Sequence, residues 1–235
     1  MKALILAGGE GTRLRPLTNN IPKCMVPIDE KPFMKYIISF LKKQNIREIV
    51  MSVGYLRENI IKYFGDGKSF GIRVEYAVED ELRGTAGAIK NAENFIDDRF
   101  LVLNGDTFFS LNLMDFKKFH MEKNAMCTIA LTKLNSADRY GTIDVRRSGE
   151  IMGFFEKKMS GKSIINAGFY LFELEMFDHL PKKGSLETDV FPLLVGKIYG
   201  YISKGYFIDI GTHESYDKIK SEIDLIRDYI YNSNI

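Results

Sequence analysis

The chain has 235 residues, 45% of them hydrophobic and 27% charged, enough apolar content to bury one substantial core. Its 33 Lys and Arg stand against 31 Asp and Glu, a near balance that argues against wholesale nucleic-acid or membrane binding, which needs a clustered cationic excess. No leader pattern precedes the first apolar run and no run approaches the roughly 20 residues of a membrane span. Cys24 and Cys127 lie far apart without metal spacing, so a soluble cytoplasmic protein with reduced thiols is expected.

In chain order, Ala3 to Leu6 is a brief apolar run ending near glycine, which predicts a strand buried on both faces. Gly8, Gly9 and Gly11 follow, and without a Cβ they let the backbone turn sharply and approach a ligand closely. Arg13, Arg15 and Lys23 add charge. Together these residues form a candidate phosphate cradle after a first strand, where open α/β sheets bind ligands. It is not a dinucleotide fingerprint, because counting G-x-G-x-x-G from Gly9 gives Gly11 and then Leu14; nor is it a Walker A loop, because no Gly-Lys-Ser/Thr run follows the strand.

Pro32 to Gln44 places Phe33, Ile37, Phe40 and Leu41 at helical spacing, with Pro in the first turn and lysines near the end. Glu48 to Val53 reads as a strand, Arg57 to Phe64 as a helix stopped by Gly65 and Gly67, Ile72 to Val78 as a strand, Gly84 to Asn94 as a helix, and Phe100 to Leu103 as a strand running into N-G-D-T. That alternation predicts a parallel sheet with helices on both faces. After a helix over Leu113 to Lys123 the texture changes to strands at Cys127 to Leu131, Gly141 to Val145, Ile151 to Glu156 and Ile164 to Phe172, read as mixed or antiparallel additions. A helix is expected over Thr188 to Lys197, strands over Ile198 to Ile202 and Tyr206 to Ile210, and one amphipathic closing helix from His213 to Tyr231. Met176 to Leu180 is an apolar stretch that suits either core or an interface.

The run G-G-E-G-T-R-L-R-P-L-T followed by P-K-C-M-V-P resembles the signature of the sugar-nucleotide pyrophosphorylases, the nucleotidyltransferases that act on sugar 1-phosphates. The resemblance implies an α/β, Rossmann-like, mainly parallel mixed sheet flanked by helices, similar to GT-A folds, with small antiparallel sugar-binding additions. The chain's length suits one domain over 1–235, and the resemblance implies a nucleotide-binding half to about residue 110 and a sugar-binding, closing half beyond. The reaction it implies is in-line attack of a sugar 1-phosphate oxygen on the α-phosphorus of a nucleoside triphosphate, with Mg2+ as cofactor.

Carried over residue by residue, the resemblance implies that Leu6, Ala7, Gly8, Gly9, Gly11, Thr12, Glu79, Gly84 and Thr85 bind the nucleotide. Arg13 would hold the β- and γ-phosphates, Lys23 would bridge the reacting phosphates, and Asp106 and Asp209 would bind the metal. Glu156 and Lys157 in F-F-E-K-K match the pair that meets sugar hydroxyls and sugar phosphate, although Lys158 stands where the family usually has Pro. Gly141, Asn166, Ala167 and Gly168 match segments lining the sugar. Arg15 has equal claim to a structural role, and His213 is expected to cap or support a helix start.

The resemblance places Glu79, in V-E-D-E-L-R-G-T-A-G, in the segment that binds the base. Guanine presents two adjacent donors that one carboxylate accepts together, whereas thymidylyl and uridylyl enzymes commonly place Gln here, whose amide supplies both donor and acceptor. The alternative is a solvated acid in a run with Asp80 and Glu81. GTP is therefore the expected nucleotide. The whole chain is similar to short guanylyltransferases acting on D-glycero-D-manno-heptose 1-phosphate. Mannose 1-phosphate with GTP, glucose 1-phosphate with dTTP or UTP, and a non-catalytic sugar-nucleotide-binding regulator are the alternatives. A homodimer is expected by the same resemblance.

Overall fold

The structure is a computed structural model that describes residues 1–135, 139–155 and 163–232. In chain order its elements are β1 (Ala3–Ala7), β2 (Pro27–Ile28), β3 (Lys31–Pro32), α1 (Phe33–Lys43), β4 (Glu48–Val53), α2 (Arg57–Phe64), β5 (Arg73–Val78), α3 (Gly84–Asn91), β6 (Phe100–Asn104), β7 (Thr107–Phe109) and α4 (Leu113–Glu122). There follow β8 (Cys127–Leu134), β9 (Thr142–Val145), β10 (Ile151–Phe155), β11 (Ser163–Phe172), β12 (Tyr199–Ile202), β13 (Phe207–Asp209), α5 (His213–Ser221) and α6 (Ile223–Arg227).

β1 lies at the centre of a sheet running β12-β8-β11-β6-β1-β4-β5, and it pairs in parallel with both β4 and β6. Its side chains alternate between two cores: Ala3, Ile5 and Ala7 face one, Leu4 the other. α1 covers the first face with Phe33, Ile37, Phe40 and Leu41, and α3 covers the second with Ala86 and Ile89. The predicted parallel half with helices on both faces is thus realised. β11 runs antiparallel to β6 and β8, and the β9–β10 hairpin meets it at Ile165 opposite Thr142, which are the expected antiparallel additions.

Three segments differ from the sequence expectation. The stretch 188–197 is no α-helix: a wide turn at Leu186–Val190 is followed by a tight one at Phe191–Leu194, because Pro192 has no N–H to continue a helical ladder. The closing helix breaks at Glu222, whose carboxylate accepts from the Tyr206 hydroxyl at 2.6 Å. Ile219, Ile223, Ile226 and Ile230 are all buried on either side of the break. α3 stops at Asn91, short of Asn94, and a tight turn at Glu93–Phe95 follows. Met176, Phe177 and Leu180 are core, with Phe177 stacked on Phe100 at 5.1 Å, so the apolar side chains of this stretch pack inside the chain. Among the described residues no helix is long and apolar enough to cross a membrane.

Candidate active site

The C-terminal end of β1 opens into the glycine loop. Of its three glycines, Gly11 alone has positive φ, at 63°, and a Cβ there would stand 2.9 Å from Lys23 Cβ, so the loop closes onto the Lys23 turn only with glycine at this position. The Thr18 hydroxyl donates to the Gly11 carbonyl at 2.8 Å, and a His213 ring nitrogen meets the Arg15 carbonyl at 2.9 Å. His213 is the first residue of α5, with Thr212 as its cap, so the structural role expected for it is what the geometry shows. Arg15 pairs with Glu10 at 3.6 Å. Arg13 is exposed and, among the described residues, has no carboxylate within ion-pair distance, leaving its guanidinium available to an anion.

β6 delivers Asn104 and Asp106, and β7 pairs antiparallel with β13 so that Thr107 lies opposite Asp209. The Ile210 amide also donates to the Asp106 carbonyl at 2.9 Å, so the backbones of the two aspartates sit on successive rungs of one ladder, and both residues line one cleft. Asp106 forms an ion pair with Lys23 and accepts from the Thr107 hydroxyl at 3.1 Å. Burial opposes ionisation of Asp106, but the Lys23 ammonium and these hydrogen bonds outweigh it and hold the carboxyl below its ordinary value. The same burial, with Asp106 nearby, pushes the Cys24 thiol up to about 12, which leaves it an inert bystander beside Lys23. Asp209 accepts from Tyr140 OH, from Arg139 at 3.3 Å and from the Gly211 amide at 2.6 Å.

Two clefts meet at these residues. The first, of about 370 Å³, is lined by the loop from Leu6 to Arg13 and by Glu79, Gly84 and Thr85. The second, of about 250 Å³, is lined by Gly141, Asn166, Gly168, Arg139 and Asp209. Arg13, Lys23, Asn104 and Asp106 line both, forming a shared wall. The nucleotidyl transferase family profile matches residues 2–224, nearly the whole chain. The chain belongs to that family. A D-glycero-alpha-D-manno-heptose 1-phosphate guanylyltransferase of Aneurinibacillus thermoaerophilus is 39% identical over 228 residues, covering 95% of this chain and 98% of that protein. A protein of the same name from Campylobacter jejuni is 40% identical over 221 residues, covering 92% and 97%. The crystal structure of HddC from Yersinia pseudotuberculosis superposes with a TM-score of 0.86 at 33% identity, covering 94% and 99% of the two chains; HddC has also been solved with GMP-PN.

In this nucleotidyl transferase Glu79 is no solvated loop acid: it is 5% exposed, accepts from the Ser52 hydroxyl at 2.8 Å, and faces the first cleft, while neighbouring Asp80 points to solvent and pairs with Arg57. Gly8 makes room for it, since a Cβ on Gly8 would stand 2.6 Å from Glu79 Oε1. On the other side, β11 carries a register shift against β8 between Asn166 and Tyr170, a bulge that re-aims the strand at the cleft. Gly168 sits in that bulge at φ 73°, where a Cβ would stand 2.8 Å from Asn104 Nδ2. Gly168→Ala combines backbone strain with this clash, so an equilibrium urea titration should show a loss of about 1 to 3 kcal/mol. A stability equal to that of the parent would contradict this reading of the bulge.

Glu156 and Lys157 lie outside the described residues. Conversely, Asn104, Arg139, Tyr140 and Glu187 line the second cleft without having been singled out from sequence. Asn104 and the Arg139–Tyr140 pair had a signal, since they adjoin Asp106 and Gly141 in the motifs N-G-D-T and R-Y-G-T. Glu187 had none, because it sits on an irregular turn with no period to read.

Proposed function

We propose that the chain transfers a guanylyl group from GTP to D-glycero-alpha-D-manno-heptose 1-phosphate, giving the GDP-sugar for surface polysaccharide synthesis and pyrophosphate. The observation that carries this reading is the wall of Arg13, Lys23, Asn104 and Asp106 common to two clefts, which is where the phosphates of two substrates must meet. A sugar 1-phosphate oxygen forms a bond to the α-phosphorus, the bond to the β-phosphate oxygen breaks, and pyrophosphate leaves with that electron pair. The protein's share is placement and charge. Arg13 binds the β- and γ-phosphates and the departing pyrophosphate, and Lys23 neutralises the reacting phosphates on release from Asp106.

Asp106 and Asp209 suit a hard divalent cation: both bring carboxylate oxygens to the wall of one cleft, and Mg2+ is commonly held by one or two carboxylates with the remainder from waters and phosphates. When bound there, Mg2+ screens the triphosphate charge and favours loss of pyrophosphate. Arg139 and Tyr140 are the groups that now satisfy Asp209 and would turn to substrate oxygens.

Guanine is supported by Glu79, a buried carboxylate in the first cleft whose oxygens match the two adjacent donors of that base, and by the names of the two guanylyltransferase relatives. The heptose rests on those relatives' names and on near-complete coverage of both chains. The test is nucleotide competition with the parent and with Glu79→Gln. The parent should select GTP, and the variant should shift preference towards dTTP or UTP by about 1 to 3 kcal/mol, the scale of an unpaired buried donor. An unchanged preference in the variant would remove Glu79 from base recognition.

A further inference from the structure

Glu187 belongs to none of the groups assigned so far, yet it stands in the wall of the second cleft and is bonded to a residue of the first. Its Oε2 accepts from the Thr85 hydroxyl at 3.1 Å and the Ser185 hydroxyl at 2.9 Å, and its Oε1 accepts from the Tyr170 hydroxyl at 3.2 Å. Each of these hydroxyls is oriented by another donor. Leu186 N donates to Thr85 Oγ1 at 2.8 Å, Glu187 N to Ser185 Oγ at 3.2 Å, and Asn166 Nδ2 to Tyr170 OH at 2.8 Å. With their lone pairs so engaged, all three turn their hydrogens to the carboxylate.

Two features of this arrangement point to a ligand. A carboxylate has about four acceptor positions, and the three hydroxyls fill both on Oε2 and one on Oε1, so one position on Oε1 remains. Among the described residues no Lys or Arg lies within ion-pair distance of Glu187, so its charge is held only by neutral hydroxyls in a half-buried wall. Such an acceptor, immobilised in advance, suits a neutral donor. The phosphate end of a sugar 1-phosphate must lie against Arg13 and Lys23, and a carboxylate would repel it, which leaves the hydroxyl end of the sugar for Glu187. The wide turn at Leu186–Val190 is what presents the side chain here; such irregular turns are frequent at functional sites.

We propose that Glu187 is a specificity-determining residue whose carboxylate, fixed by Thr85, Ser185 and Tyr170, accepts a hydrogen bond from one hydroxyl of the sugar 1-phosphate. This rests on the sugar 1-phosphate transferase reading above. It also explains why the second cleft is tied to the first: Asn166, Tyr170, Glu187 and Thr85 form one hydrogen-bonded chain from the sugar side to the start of α3.

The experiment is steady-state pyrophosphate release by the parent, Glu187→Gln and Glu187→Asp, varying GTP and the sugar 1-phosphate separately. It is repeated with sugar 1-phosphates in which each hydroxyl in turn is replaced by fluorine. Glu187→Gln is expected to lose roughly 10- to 100-fold in kcat/KM for the sugar 1-phosphate, the scale of a hydrogen bond to a charged acceptor, with KM for GTP within about twofold of the parent. One fluorinated sugar should lose as much with the parent and lose little more with the variant. Glu187→Asp keeps the charge but withdraws it from the cleft, and it should show the same split.

Equal losses for GTP and sugar, with no hydroxyl coupled to position 187, would make Glu187 a structural tie and overturn the proposal, as would a Glu187→Gln enzyme indistinguishable from the parent. Should the parent itself release no pyrophosphate with any sugar 1-phosphate, the transferase reading fails and this inference with it.

Discussion

Asp106→Asn should lower turnover by about 1000-fold or more, equivalent to about 4 kcal/mol of transition-state stabilisation, while the protein remains folded. The amide keeps the size of the carboxylate and can still accept from Thr107, but it loses the charge that balances Lys23 and that would hold a divalent cation with Asp209. The side chain is 32% exposed, and the neighbouring ladder is made by backbone atoms of Asp106, Thr107, Asp209 and Ile210, so its removal leaves the local fold in place. The sign of the acid dependence follows from the same pair. Because the Asp106 carboxyl is held below its ordinary value when folded, the stability it contributes is present above the ordinary carboxylate range and is lost as pH falls through the lowered value. The variant should lack that part of the acid sensitivity. Initial rates across a magnesium titration, with acid melts beside them, measure both effects, and turnover within tenfold of the parent would remove Asp106 from the site.

Phe40→Ala should cost about 3 to 5 kcal/mol of folding stability, a large part of the 5 to 15 kcal/mol typical of a domain. Phe40 is fully buried and packs edge-on against Phe108 at 5.4 Å and Phe169 at 6.3 Å. Phe108 belongs to β7, two residues after Asp106, and Phe169 to β11, one residue after Gly168. The same aromatic contact therefore supports both arms of the site, and the variant's surviving folded fraction should also bind substrate more weakly. Urea unfolding followed by circular dichroism measures the loss, and a change under 1 kcal/mol would contradict the packing argument.

The parallel part of the sheet and its helices were largely legible in the sequence. Glu48 to Val53 and Arg57 to Phe64 have the bounds that their apolar runs and following glycines set, because each element buries a simple periodic face and ends at a residue that permits the turn. Three of the four residues of the shared wall were readable for a different reason: Arg13, Lys23 and Asp106 stand in loops directly after buried strands or turns, where side-chain type rather than period carries the message. Regularity failed where tertiary contacts decide the backbone. Thr188 to Lys197 has helical texture, but Pro192 and the Ser185 cap fold it into two unlike turns; His213 to Tyr231 has one helical stripe, but Glu222 leaves it to meet Tyr206. Glu187 was hidden because nothing local marks it, and Arg139 was marked only by its place beside the Y-G-T motif. Only the fold brings Glu187 to Thr85, 102 positions away, and Arg139 to Asp209, 70 positions away.

The most direct measurement of the central claim is pyrophosphate release from four nucleoside triphosphates against heptose, mannose and glucose 1-phosphates with magnesium. GTP with D-glycero-alpha-D-manno-heptose 1-phosphate should give the fastest release, matched mole for mole by GDP-sugar. Silence across every combination would contradict the assignment of a transferase site to the two clefts, and preference for another pair would contradict the guanine and heptose readings.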